Sequence, residues 1–219
     1  TAPMVQAIMA GSKTQTRRVI LHCGNTPEKS GCDKFYKIVS ELNGKPFYGA
    51  GFYSDRHVFE CGGEEQVDAL YFKALVAPGD VLWVRETWFK TYSHEYGVYS
   101  YRADGETVQI QNIYGDMSDY GKADGLKWKP SIFMPKEAAR IFLKVTDVRA
   151  ERVQDIGHDD SLAEGIDINP VYADKETGYP TAPMVYHALW DSINAKRGYS
   201  WESNPWVWVY EFERIEKPE

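Results

Sequence analysis

The chain predicts an α+β fold: a small barrel of about five short strands, two or three small helices and long loops. Helix signals are confined to three short stretches. Between them lie β-branched and aromatic runs, and Gly- or Pro-rich turns separate the two kinds. Small barrels of this sort bury an apolar interior and present ligands at the mouth. At 219 residues the chain exceeds the usual domain size of roughly 100–150, so it reads as one domain, 1–219, with insertions at about 22–77 and 106–127. Its 43% hydrophobic content is ample for a core, and seven Trp with fifteen Tyr exceed what a core needs.

Residues 3–10 predict a helix, with Pro3 in the first turn, Met4, Val5, Ile8 and Met9 on one face, and Gly11 as the stop. Thr16 to Leu21 then reads as a strand. From His22 to about Ala77 the pattern dissolves into Gly, Lys, Asp and scattered aromatics, a long irregular excursion on the surface. Pro78-Gly79-Asp80 is a turn, and Val81 to Trp88 is a β-rich run, apolar first and polar later. Val98 to Arg102 is a further strand closed by Ala103-Asp104-Gly105, followed by a second excursion. Strand-like stretches return over Arg140 to Val153. His158 to Glu164 is a short polar helix ended by Gly165. Thr181 to Lys196 is a stronger one, with Val185, Leu189, Trp190 and Ile193 on one face. Trp206 to Ile215 closes the chain as a strand with Trp206, Trp208, Tyr210 and Phe212 on one side.

The net charge is −7 with a pI near 5.3. Proteins that coat nucleic acid by charge neutralise many phosphates and carry a basic stripe, so long duplex DNA is not the expected partner. A modified nucleoside or a short single-stranded RNA fits a local basic pocket better. No apolar run approaches the roughly 20 residues of a membrane span and no signal-peptide pattern opens the chain, so a cytoplasmic protein is expected. Three cysteines form an odd set, unusual for secreted disulfide frameworks. A zinc site from Cys23, Cys32, His57 and Cys61 is the sharper alternative, but Cys23 and Cys32 lack the tight knuckle spacing. Reduced thiols and no cofactor are the expectation.

Against this acidic background Gly11-Ser12-Lys13-Thr14-Gln15-Thr16-Arg17-Arg18 gathers an amine, hydroxyls and two guanidiniums with no acidic residue among them. It follows a glycine able to end a helix. An anionic or hydrogen-bond-rich ligand is its natural partner; an ordinary solvated turn is the bland alternative. A Thr hydroxyl is a poor nucleophile without a nearby base. Lys13 serves if burial and the neighbouring guanidiniums favour its free amine. Three-residue spacing puts Lys13 and Thr16 on opposite faces of a regular strand, whereas Thr16 and Arg18 share one. A second constellation is Trp83, Glu86 and Trp88. An exposed aromatic there stacks a base, and a carboxylate accepts from an exocyclic amine; Trp83 reads as core, Glu86 and Trp88 as ligand candidates. Nucleophile-elbow, Walker and zincin motifs are absent.

With these pieces in view the chain resembles ASCH-domain proteins, a branch of the PUA-like β-barrels, and most closely the bacterial and prophage-encoded members. The resemblance rests on Ile8 to Arg18, Pro78 to Trp88, Tyr101 to Gly105, Lys129 to Pro135, Val145 to Val148, Ala163 to Ile166, Leu189 to Asn194 and Asn204 to Val209. It implies a cleft suited to RNA or a modified nucleoside. One small ASCH enzyme type deacylates N4-acetylcytidine with a Lys, Thr and Glu trio. Its G-x-K-x-x-T-x-R motif maps onto Gly11, Lys13, Thr16 and Arg18, and its glutamate corresponds best to Glu164. This chain is about twice as long as that type. The resemblance thus implies an amidohydrolase on N4-acylated cytidine using Lys13, Thr16 and Glu164. The alternative is a non-catalytic module recognising RNA or a modified base through Arg17, Arg18, Glu86 and Trp88. A ribonuclease is a weaker alternative without a metal-ligand cluster.

Overall fold

The computed structural model describes residues 2–21, 26–27, 34–42, 45–53, 58–61, 64–67, 70–93, 96–105, 107–111, 117–122, 127–168 and 181–218. Over these residues the chain is α+β, with antiparallel strand pairs and few helices. In order they form α1 (Ala2–Met9), β1 (Gln15–Val19), β2 (Lys34–Leu42), β3 (Lys45–Tyr53), β4 (Val58–Cys61), β5 (Glu64–Val67), β6 (Leu70–Lys73), β7 (Val81–Trp83), β8 (Trp88–Ser93), β9 (Tyr96–Tyr101), β10 (Thr107–Gln111), β11 (Met117–Lys122), β12 (Phe142–Arg152), α2 (His158–Ala163), α3 (Ala182–Asn194) and β13 (Trp206–Ile215). No described helix is long and apolar enough to cross a membrane.

Two stretches expected to be irregular carry strands. Within 22–77 the structure has β2 to β6, with β2 and β6 flanking β3 and β4 paired to β5; within 106–127 it has the β10–β11 hairpin. For β3 the reason is that Gly49, Ala50, Gly51 and Phe52 are buried in succession. A strand with small residues on both covered faces shows no alternation, so period-two reading passes over it. The β-rich run also divides: after β7, residues 84–87 leave the strand conformation and β8 begins at Trp88.

The chain forms two compact units. One comprises 1–11, 81–143 and 214–219, the other 12–80 and 144–213. In the first, α1 buries Val5 and Ile8, while Met9, expected on the same face, is exposed. Gln6 Nε2 donates to the carbonyl of Ala103 at 2.7 Å. The core gathers Trp88, Met134, Ala138, Ala139 and Phe142, with Trp83, Tyr99, Tyr101 and Ile215 packed around them. Burying an aromatic of this size contributes roughly 1.5–3 kcal/mol.

In the second unit β13 lies between β1 and β12. Val207 and Val209 on one face of β13 pack with Val153, Ile156, Ile166, Tyr186 and Trp190. The other face turns Trp206 against Phe52, whose ring centroid is 5.3 Å away. Both faces of the first half of this strand are therefore covered. Helix α3 buries Ala182, Tyr186 and Trp190; Val185 and Leu189 are partly covered and Ile193 is exposed. The buried stripe is rotated toward Tyr186 relative to the sequence expectation. Trp190 Nε1 donates to the carbonyl of Tyr199, just beyond Gly198, whose φ of 85° makes the left-handed turn that ends the helix.

Candidate active site at the Lys13–Glu164 pair

Strand β1 is antiparallel to β13, with Thr16 opposite Tyr210, Arg17 opposite Val209 and Arg18 opposite Trp208. Phe212 N–H donates to the Thr14 carbonyl and Ile20 N–H to the Trp206 carbonyl, each at 2.9 Å. Even-numbered residues thus spend these backbone groups on β13. In an antiparallel ladder the intervening residues turn theirs to the other edge, so the Gln15 carbonyl faces away from β13. Lys13 stands just before the strand and forms an isolated bridge with Glu164, where Thr14 N–H donates to the Ala163 carbonyl.

Glu164 follows the last turn of α2, its N–H donating to the Asp160 carbonyl. Gly165, at φ 83°, then turns the chain away, a conformation cheap only for glycine. Short helix, turn and bridge together aim the Glu164 carboxylate at β1. The Lys13 ammonium donates to the Gln15 carbonyl at 2.7 Å, to the Glu164 carbonyl at 2.7 Å and to Glu164 Oε2 at 2.9 Å. All three of its hydrogens are spent. The two side chains are 9% and 5% exposed. Burial pushes the Lys13 amine down from its ordinary value of 10.5; the Glu164 charge and hydrogen bond oppose this, and Arg18 and Arg17 reinforce it. Burial prevails, so the lysine releases its proton more readily than a surface lysine does.

Glu164 has a second cationic partner. Arg17 Nη1 donates to Glu164 Oε1 at 3.1 Å and to Gln15 Oε1 at 3.3 Å, and Nη2 to Glu151 Oε2 at 3.0 Å and Asp160 Oδ2 at 3.1 Å. The Arg17 side chain is 0% exposed, and its Nε is buried with no hydrogen-bond partner among the described residues. Gln15 Nε2 donates to Asp160 Oδ1 at 2.8 Å. Arg149 closes the outer side by pairing with Glu151, Glu211 and Asp160. Tyr186 lies beneath the cluster, its hydroxyl pushed up by burial and by the Glu164 charge.

The expected residues divide accordingly. Lys13 and Glu164 meet. Thr16 is half-buried and shares with Arg18 the face opposite Gln15 and Arg17; Arg18 is exposed. Arg17, expected to bind ligand, is instead sealed inside and committed to four oxygens. Glu86 and Trp88 belong to the other unit and neither is presented as expected. Glu86 is buried, with both carboxylate oxygens taken by Arg140 at 2.9 and 2.8 Å. Trp88 is in the core, with Lys129 Nζ 5.0 Å from its ring centroid. The more exposed indole is Trp83, under the Arg85 guanidinium at 4.8 Å. Of the zinc candidates, Cys23, Cys32 and His57 lie outside the described residues and Cys61 is in β4; among the described residues no three His, Cys, Asp or Glu side chains form a metal-binding group.

Gln15, Arg149, Glu151, Asp160 and Glu211 were not singled out from the sequence. A signal existed: Arg149 and Glu151 fall two apart on one strand, and Glu211 continues the Val207–Val209 face of another. Charges at positions where a strand turns inward call for partners. Comparison of the chain with family models, with curated proteins and with solved structures returns no match.

Proposed function

We propose that this chain is an ASCH-type, PUA-like domain acting on a modified nucleoside, and that it removes the acyl group from N4-acylated cytidine at the Lys13–Glu164 site. The observation that carries the reading is a buried lysine 2.9 Å from a buried glutamate, with burial lowering the affinity of the amine for its proton. A lysine acting as a general base needs its proton affinity lowered, which burial does here, and a partner that orients its amine, which Glu164 supplies.

In the proposed reaction Thr16 Oγ attacks the acyl carbonyl carbon and its proton passes to the Lys13 amine. The C–N bond breaks, and the departing cytidine N4 takes that proton from Lys13. Water then attacks the acyl–Thr16 ester and gives a proton to Lys13; the ester C–O bond breaks, Thr16 Oγ takes that proton back from Lys13, and the carboxylic acid is released. Because the Lys13 ammonium holds three acceptors, the substrate displaces one of them on binding. The Gln15 carbonyl is the natural one to yield, being the only one of the three that does not belong to Glu164. Arg18, exposed on the Thr16 face, is positioned to hold the carbonyl oxygen as negative charge develops.

The recognition-module reading has less support. Of its four residues, Arg17, Glu86 and Trp88 are buried and only Arg18 is exposed. The test is hydrolysis of N4-acetylcytidine and longer N4-acyl cytidines by wild type and Lys13→Ala, with folding checked by circular dichroism. Wild-type turnover that falls at least about 100-fold in the variant is expected. A folded wild type that turns over none of these substrates removes the hydrolase reading.

A further inference from the structure

Three carboxylates converge on the Arg17 guanidinium and are shared with Lys13 and Arg149, and a lysine base alone does not require such an assembly. We propose that Arg17 is a positioning residue, the hub through which Asp160, Glu151 and Arg149 set how firmly Lys13 holds its proton. The inference rests on the reading of Lys13 as the reaction's base.

The geometry supports a hub because the Arg17 fork is fully divided. Nη1 faces Glu164 and Gln15, and Nη2 faces Glu151 and Asp160. Glu164 is divided in the same way, one oxygen to Arg17 and the other to Lys13. Anything that draws Arg17 toward Glu164 weakens the hold of Glu164 on the Lys13 proton, and anything that draws Arg17 outward strengthens it. Asp160 and Glu151 pull outward; Arg149 restrains both by pairing with them. The charged and titratable groups around Lys13 are Arg17 and Arg18 on β1, Asp160 on α2, Glu164 just after it, Tyr186 on α3, Arg149 and Glu151 on β12, and Glu211 on β13. Counting full charges, Lys13, Arg17, Arg18 and Arg149 balance Glu151, Asp160, Glu164 and Glu211, so removing a single charge tips the balance at Lys13.

Two conservative changes at the partly exposed rim move this balance in opposite directions. Asp160→Asn removes an outward pull and a negative charge, so Lys13 gives up its proton more easily. Arg149→Met frees Glu151 and Asp160 to draw Arg17 outward, so Lys13 holds its proton harder. The readout is the titration midpoint of Lys13 Cε in protein carrying ¹³C-lysine, followed by NMR, alongside the basic limb of the pH–rate profile for N4-acetylcytidine. Neighbouring charges at this range predict a fall of about half a pH unit or more for Asp160→Asn and a rise of similar size for Arg149→Met. In an Arg17→Lys background, which keeps the charge but loses the fork, the Asp160→Asn effect shrinks by more than half.

Midpoints that stay put, or that move together, overturn the hub whatever the turnover. A full-sized Asp160→Asn effect in the Arg17→Lys background also overturns it, since Asp160 then acts on Lys13 directly. Opposite movements without turnover in any of these proteins support the hub and remove the hydrolase reading, so the two failures are distinguishable.

Discussion

Two buried glutamates, Glu86 in one unit and Glu164 in the other, are each held by an arginine, and the difference between them is instructive. Arg140 closes on Glu86 as a two-pronged fork, extends two further hydrogen bonds to Asp104 at 2.8 Å and lies 4.0 Å over the Tyr101 ring. Burial lowers its proton affinity, but the Glu86 and Asp104 carboxylates more than reverse this and the net direction is upward. Such a pair has no proton to exchange; it is a clamp. Glu164 gives only one oxygen to Arg17 and the other to Lys13, and there burial wins. Dividing a carboxylate between an arginine and a lysine turns the same ingredients into a site able to pass a proton.

The sharpest way to break this comparison is to remove each arginine. Arg140 is the cation that reaches Glu86 among the described residues, and the Glu86 side chain is 1% exposed. Arg140→Met therefore strands a buried carboxylate, at an expected cost of about 3–5 kcal/mol. Arg17→Met removes a more deeply buried charge, yet Glu164 keeps Lys13, Glu151 keeps Arg149, and Asp160 keeps Gln15 and Arg149. It also removes an Nε with no hydrogen-bond partner among the described residues and the desolvation of a wholly buried guanidinium. A smaller loss, about 1–3 kcal/mol, is expected. Urea unfolding at pH 7 ranks the two. A larger loss at Arg17 would mean that the carboxylates do not share their cations as described.

The next effect depends on pH. Lys13 binds its proton less tightly in the folded chain than at its ordinary value of 10.5. Between the folded value and 10.5 the unfolded chain carries the extra proton, so Lys13 makes stability rise with pH. Lys13→Met removes that rise. One proton contributes at most about 1.4 kcal/mol per pH unit, which bounds the difference between the two stability profiles. Restricting the comparison to below about pH 9.5 keeps it clear of tyrosine ionisation, since tyrosines have an ordinary value near 10. A wild type losing stability relative to Lys13→Met as pH rises would contradict the dominance of burial at this lysine.

How much of this was legible follows from where each partner lies in the sequence. Lys13, Thr16 and Arg18 stand close together and break an acidic background, so local reading finds them. Glu164 was reached only through resemblance, because nothing local ties a helix-end glutamate to a residue 151 positions away. Arg17 was misplaced for a related reason. An arginine beside a second arginine in a basic run reads as exposed, and its burial depends on Glu151, Asp160 and Glu164 arriving from elsewhere. Glu86 was misjudged the same way, since its occupant Arg140 lies 54 positions along the chain. Strand β13 was read with its observed boundaries because its hydrophobic run is continuous and strong. The strands within 22–77 were missed because glycine and charge dilute their pattern.

Arg18 gives the smallest effect on the fold and the cleanest separation of fold from function. It is exposed on the Thr16 face, opposite Trp208 in the β1–β13 register. Replacing an exposed side chain away from a buried network usually changes stability by no more than about 0.5 kcal/mol, so Arg18→Ala should unfold in urea almost as wild type does. Its expected cost falls on catalysis. A guanidinium that holds the carbonyl oxygen as charge develops acts in the transition state, so kcat should fall about 10-fold or more while KM changes less. Arg18→Lys keeps the charge without the planar fork and should recover part of that loss. If KM alone rises, Arg18 grips the nucleoside before reaction and the developing oxyanion is stabilised elsewhere. If neither constant moves, the substrate does not lie on the Thr16 face, and the role given to Thr16 goes with it.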